Sequence, residues 1–302
     1  MNIDHLVNFM IVGAQKCGTT TLTEMLRGHP SLVCCDVKEP MFFCSSKNWQ
    51  DEISDYHSLY KWKEGALHFE ASTSYTFFPY QENKNVWKIL HAYNPNLKII
   101  YIVRNPIDRI ISGYMHAYEQ GYIDDEIEKA VVENPFFLNL SQYATQIKPF
   151  LDLFGDDQVL ILFFEDLIKD PTIIINQISS FLNIPSNEFG DIKNFHSNKS
   201  VGGFKIHHQF SNPGLFLRIV RRLLPSLWDY LTDNSARAFT EKPKLTRQYQ
   251  EIILHFLRHE IVELEEMTGR DLSSWRQIHN TKDSINSDAL LIEKTKMLGN
   301  KV

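Results

Sequence analysis

Apolar residues along the chain fall into short continuous runs separated by longer stretches of helical spacing. Phe9 to Val12 is such a run. It ends at Gly13 and leads through a Gly/Thr loop into a helical pattern from about Thr20 to Arg27 that stops before Gly28 and Pro30. Strand, loop and helix in this order open a nucleotide-binding α/β fold. The stretch KNVWKILHAYNP reads as a helix closed at Asn94-Pro95. Leu97 to Val103 is β-branched and apolar on both faces, the signature of a strand inside a parallel sheet. A second run of that kind, Val159 to Phe164, follows a helical stretch from Tyr143 to Phe154, and Pro171 then opens an amphipathic helix that ends before Pro185. Three buried strands separated by helical segments predict an α/β fold: a P-loop-like, doubly wound, mostly parallel sheet flanked by helices.

From about Asn194 the pattern changes. A loop rich in Gly, Ser and Lys leads to Leu215–Leu231, which is amphipathic, basic and aromatic. Arg218, Arg221, Arg222 and Trp228 would suit an interfacial helix, but Pro225 interrupts the segment and a helix covering a cleft has the same composition. The cleft or core reading is taken over stable membrane insertion. A longer helix is predicted from Leu245 to Met267, closed by Gly269, and after Trp275 the periodicity disappears. Residues 280–302 are therefore expected to form a loosely ordered tail. Without a repeat or a low-complexity linker, residues 1–279 are expected to be one domain with a helical C-terminal part.

Bulk properties narrow the function. A chain of 302 residues can bury a sizeable core. Its formal net charge of −6 suits neither nucleic acid nor another bulk polyanion, so any anion site must be a local constellation. The N-terminus lacks the pattern of a secretory signal, and no stretch reaches the roughly 18 apolar residues that span a bilayer. All four cysteines (Cys17, Cys34, Cys35, Cys44) lie near the N-terminus at spacings that fit neither zinc nor haem. Reduced thiols and a cytoplasmic location are expected; a lumenal catalytic domain separated from its anchor is the alternative. Oligomeric state leaves no trace in the sequence.

The chemistry concentrates in two segments. In the first, Gly13-Ala14-Gln15-Lys16-Cys17-Gly18-Thr19-Thr20, the backbone N–H groups and the helix N-terminus form an anion cradle, to which Thr19, Thr20 and Thr21 add hydroxyls. The glycine spacing is that of the ATP-binding loop, but Thr19 follows the second glycine and the lysine, Lys16, lies inside the loop. A lysine there suits a single leaving phosphate more than a triphosphate. Glycines alone are common in strand–helix turns for steric reasons; the lysine and the threonines give this loop its meaning. In the second segment Arg104 stands at the carboxyl end of a predicted strand, where open α/β sheets bind ligands. Ser112 follows eight residues later, about two helical turns on. Arg109, Ser112 and His116 would share one helix face, and Arg104 with Ser112 would clamp a second phosphate. The bland alternative is a surface salt bridge for each arginine and a packing role for Ser112.

Together these segments resemble the sulfotransferases that use 3′-phosphoadenosine-5′-phosphosulfate (PAPS), most of all the heparan-sulfate-type and bacterial branch. The 5′-phosphosulfate loop of that family is matched by Lys16-Cys17-Gly18-Thr19-Thr20. Its 3′-phosphate motif is matched by Arg104, Pro106, Arg109, Ser112, Tyr114 and His116. Lys38-Glu39-Pro40-Met41-Phe42-Phe43, Glu70 to Tyr75, Phe164 to Leu167 with Asp170-Pro171, and Thr268 to Trp275 are also similar to that branch. The Ser72-Thr73-Ser74-Tyr75 turn departs by lacking a proline. His196 to Ser200 corresponds to a late nucleotide-contacting loop, with Lys199 and Ser200 as contacts, and Lys205 takes the place of the arginine usual there.

The resemblance implies a sulfuryl transfer by in-line displacement, with PAPS as co-substrate, no metal, and a glycan or small-molecule acceptor. Lys16 would stabilise the leaving phosphate and Glu39 would be the base that takes the acceptor proton. Pro40 and two phenylalanines would desolvate Glu39 and raise its pKa, while Lys38 works against this; a solvated Lys38-Glu39 pair is the alternative. His68 is the reserve base, and Glu70 a second reserve or an acceptor-orienting carboxylate. Two rivals remain. The apolar run ending in Glu165-Asp166 could be the magnesium-holding strand of a nucleoside-triphosphate kinase, and the fold could serve as a non-catalytic binding module.

Overall fold

The computed structural model describes residues 5–82, 84–189, 239 and 241–278. Five parallel strands make one sheet in the order β2-β3-β1-β4-β5: β1 (Phe9–Gly13), β2 (Leu32–Cys34), β3 (Leu67–Ala71), β4 (Lys98–Val103) and β5 (Val159–Phe163). The helices are α1 (Thr19–Arg27), α2 (Phe42–Ser45), α3 (Trp49–His57), α4 (Val86–Tyr93), α5 (Pro106–Glu119), α6 (Ile127–Glu133), α7 (Phe136–Asn139), α8 (Tyr143–Phe154), α9 (Phe164–Lys169), α10 (Pro171–Leu182) and α11 (Arg247–Thr268). This is the expected helix-flanked parallel α/β sheet. The strand order turns about β1, which lies between β3 and β4. At such a point the carboxyl ends of the strands leave a crevice.

The apolar runs explain the centre. All of β1 is buried, as is β4 from Ile99 to Val103, so neither strand has a polar face to alternate with. β2 and β3 escape the pattern because β2 has only three residues and β3 buries the polar side chains His68 and Glu70 among apolar neighbours. Phe164, expected to end the fifth strand, instead begins α9.

The described C-terminal part is anchored to this frame. α11 ends where Gly269 adopts φ +66°, as the sequence implies. Along its length the Glu260 carboxylate accepts the Thr145 backbone N–H (3.0 Å) and hydroxyl (2.5 Å) of α8. Arg270 forms a two-pronged ion pair with Asp166 and lies over the Phe163 ring, 4.0 Å from its centroid. The four cysteines are unpaired. Among the described residues no helix is long and apolar enough to cross a membrane. The Leu215–Leu231 segment, the loop with Lys199, Ser200 and Lys205, and the 280–302 tail lie outside the described residues.

Gly13 marks where the sheet meets the site. A Cβ there would lie 2.2 Å from the Thr76 hydroxyl oxygen and 2.7 Å from the Tyr101 ring, so the short turn Thr73–Thr76 can cross the end of β1 only over a glycine. Gly13→Ala is expected to lower stability by about 1–3 kcal/mol, read as a lower denaturant midpoint at unchanged m-value.

Candidate active site

The loop after β1 is set by its backbone. Lys16 at φ +67° and Gly18 at φ +91° place two nearby residues in the left-handed region, a curvature that turns successive N–H groups toward one concavity. Gly18 caps α1, and a Cβ there would meet the Phe164 ring at 2.7 Å. The first N–H groups of α1 have no partner within the helix and add their partial positive charge. Cys17 offers this site backbone only: its thiol is buried, 3.6 Å from the Tyr143 hydroxyl, and burial pushes its pKa up to about 11. Thr19 is buried, and Thr20 and Thr21 are half-buried at the start of the helix.

The cations around this loop act on one another. Burial lowers the Lys16 pKa; Glu119 counteracts this, while Lys38, Arg109 and Arg104 lower it further. The Lys38 ammonium donates to the Thr20 hydroxyl at 3.0 Å, which brings a second lysine to the loop. Arg104 follows β4, donates from Nη1 to the Lys16 carbonyl (3.4 Å), and stacks its guanidinium 4.5 Å from the Phe164 ring centroid. Asn105 caps α5 by accepting the N–H groups of Ile107 and Asp108 at 3.0 and 3.3 Å, and Pro106 supplies the first helical position. That cap directs α5 so that Ser112 and His116 follow Arg104 along the helix, Ser112 buried and His116 half-buried.

Arg109 departs from both readings of the sequence. It is fully buried, so it neither shares a ligand face with Ser112 and His116 nor forms a surface salt bridge. Its guanidinium donates to the Gln15 carbonyl and side-chain oxygen (both 3.3 Å), the Phe137 carbonyl (2.7 Å) and the Ser141 hydroxyl (3.3 Å). It holds the loop from beneath.

Glu39 lies on a third element, the segment before α2. It is half-buried, and its Oε2 accepts the Thr73 hydroxyl at 3.1 Å. Its neighbour Lys38 turns to Thr20, so the solvated Lys38-Glu39 pair does not form. The two reserve bases are ruled out by position. His68 comes one residue before the Phe69↔Phe9 pairing, at the amino end of the sheet, whereas the loop leaves the carboxyl end of β1. Its Nε2 accepts the Lys63 N–H at 3.1 Å and its ring lies against Trp62. Glu70 is fully buried and accepts hydroxyls from Tyr56 (2.7 Å), Tyr75 (2.7 Å) and Ser72 (2.6 Å), which leaves it no route to an acceptor. Burial raises its pKa, and these three hydrogen bonds offset part of that rise.

The acids that follow β5, in the first turn of α9, have structural roles here. Glu165 Oε1 accepts the Asn105 N–H at 2.8 Å, joining β5 to the start of α5, and Asp166 pairs with Arg270. The magnesium-strand expectation gains no support from them. Among the described residues, His259, Glu260 and Glu263 bring possible metal-ligand atoms within 4.8 Å, but Glu260 is engaged by Thr145. Sequence reasoning missed Lys38 as a site cation; its only signal was its place beside Glu39.

Comparison with known proteins shows the family. A family model described as a sulfotransferase domain matches residues 7–202, which include both anion segments and Glu39. Carbohydrate sulfotransferase 15 from Mus musculus is 23% identical, covering 59% of this chain and 44% of that protein. The bifunctional heparan sulfate N-deacetylase/N-sulfotransferase 2 of Homo sapiens is 28% identical, covering 60% of this chain and 22% of that protein. The chain thus spans less than half the length of these two relatives. A solved sulfotransferase from Alicyclobacillus acidocaldarius shares the fold with a TM-score of 0.65 at 22% identity, covering 90% of this chain and 99% of that one. With the family model matching most of its length, the chain belongs to the sulfotransferase family.

Proposed function

We propose that this chain transfers a sulfuryl group from PAPS to a hydroxyl or amine, with a carbohydrate or other hydroxylated metabolite as acceptor. The observation that carries the reading is a convergence. Lys16, Lys38, Arg104 and the start of α1 gather at one loop in a chain of net charge −6, and Glu39 follows Lys38 directly in the chain. The names of the relatives, carbohydrate sulfotransferase 15 and the heparan sulfate N-sulfotransferase, support the carbohydrate acceptor.

The donor set fits a nucleotide with phosphates at two ends. Lys16, the backbone of Cys17 and Gly18, and Thr19, Thr20 and Thr21 would hold the 5′ end. Arg104 and Ser112 would hold the 3′ phosphate, with Lys199, Ser200 and Lys205 completing the site. PAPS supplies the activated sulfuryl group. Lys16 and the loop N–H groups offset the charge that develops on the leaving phosphate oxygen. Glu39 takes the proton from the acceptor as its oxygen or nitrogen bonds to sulfur. Most of the acceleration then comes from holding the groups in line.

Isothermal titration with adenosine 3′,5′-bisphosphate is expected to show binding that Lys16→Ala and Arg104→Ala each weaken roughly ten- to a hundredfold. Binding of ATP-magnesium in place of the bisphosphate would overturn the reading. Glu39→Gln is expected to lower turnover by on the order of 10²–10⁴ while bisphosphate binding stays within about twofold. Wild-type turnover in that variant would remove Glu39 from the base role.

His116 supplies a pH prediction. Burial, with Lys16 and Lys38 nearby, lowers its pKa from 6.5 to about 4. Between those values the unfolded chain binds more protons than the folded one, so this contribution to stability is complete above pH 6.5 and is lost as pH falls towards 4. His116→Gln is expected to flatten that part of the stability–pH curve, measured by denaturant melts.

A further inference from the structure

The turn after β3 grips the Glu39 segment at two points. The Thr73 hydroxyl donates to the Glu39 carboxylate (3.1 Å), while the adjacent Ser72 Oγ accepts the backbone N–H of Met41 (3.1 Å), two residues beyond Glu39. Glu39 and Met41 are both non-glycine residues at φ +52°. Such backbone costs free energy and persists only where its surroundings over-determine it. Ser72 is itself fixed. It is fully buried, its N–H donates to the Ile11 carbonyl of β1 (3.0 Å), and its hydroxyl donates to Glu70 Oε2 (2.6 Å). A serine hydroxyl has one proton. Spending it on Glu70 leaves a lone pair for Met41, so the carboxylate dictates the direction in which Ser72 can accept. Glu70 Oε1 is held in turn by Tyr56 and Tyr75, and Tyr60 lies 2.9 Å from the Tyr56 hydroxyl.

We propose that Ser72, oriented by the buried Glu70 carboxylate, is a positioning residue for Glu39, fixing the strained Glu39–Met41 backbone so that the Glu39 carboxylate faces the reaction site. The proposal rests on the reading of Glu39 as the base. It gives the four hydroxyl-bearing residues around Glu70 a part in the reaction without any of them touching substrate. A displacement of about 1 Å in a reacting group can cost on the order of a hundredfold in rate, so a lost backbone tether is large enough to measure.

The test is a double-mutant cycle on sulfuryl transfer to a working acceptor, with Ser72→Ala, Glu39→Gln and their combination. Ser72→Ala is expected to lower kcat roughly ten- to a hundredfold with bisphosphate affinity and circular dichroism unchanged. In the Glu39→Gln background it should cost nothing further, because residues that act as a unit are not additive. Glu70→Gln keeps the shape of the buried group but replaces an acceptor with a donor. It is expected to show the same fall in kcat at constant affinity, and it carries the test if Ser72→Ala does not fold. Undiminished kcat in a folded variant, or an equal loss with and without Glu39, would overturn the positioning role and leave the base assignment standing. Wild-type turnover in Glu39→Gln alone would overturn the base assignment, and the positioning role with it.

Discussion

A guanidinium taken out of water needs its donors satisfied in the directions a planar fork allows, and Arg109 meets that demand with oxygens from two separate parts of the chain. Gln15 on the anion loop supplies two, and the segment from Phe137 to Ser141 supplies the others. Among the described residues no carboxylate pairs with it, and burial lowers its pKa, opposed by Tyr143, Cys17 and Tyr101. The consequence is mechanical. Removing the guanidinium would leave buried oxygens unpaired, and moving the loop would leave buried guanidinium donors unsatisfied, so loop and helix are fixed together. Ser112 and His116 share α5 with Arg109, so the Asn105 cap and the buried guanidinium fix them together with the loop.

Upon that support the site concentrates positive charge that the whole molecule lacks. Lys16 and Arg104 are joined through the Lys16 carbonyl, and Lys38 reaches Thr20 from a different element. Like charges gathered in this way are unfavourable; burial is the main cause of the lowered pKa values of Lys16 and His116, and the neighbouring cations add to it. A polyanionic ligand of the kind proposed would offset that charge locally despite the net charge of −6.

The sequence was most legible where one physical demand dominates. β1 and β4 are buried on both faces and read as unbroken apolar runs, and Gly13, Gly18 and Gly269 stand where the backbone approach or a left-handed turn requires them. Legibility failed where polar side chains are buried. β3 carries His68 and Glu70, whose polarity broke the strand pattern and suggested solvent-facing chemistry. Their partners, Lys63 for one and Tyr56, Tyr75 and Ser72 for the other, lie nearby in the chain, but only the fold turns these N–H and hydroxyl groups back onto the strand. Arg109 misled for the same reason: helical spacing gives it a face shared with Ser112, but spacing does not tell whether water or carbonyls lie opposite. Lys38 was passed over because its significance is a contact with Thr20, eighteen residues away.

The lysine inside the loop shows why a one-residue feature can separate two chemistries on similar loops. At φ +67° Lys16 has a backbone that turns its carbonyl towards Arg104 as well as contributing to the curve of the cradle. Its carbonyl is thus used for the arginine that follows β4, and in the proposed reaction its cation would serve the ligand end. A lysine placed after Gly18 would start from the first turn of α1, which moves its ammonium away from the middle of the loop while the carbonyl at position 16 stays with Arg104. The spacing between the two anion-binding segments is then a property of the loop backbone as much as of the sheet.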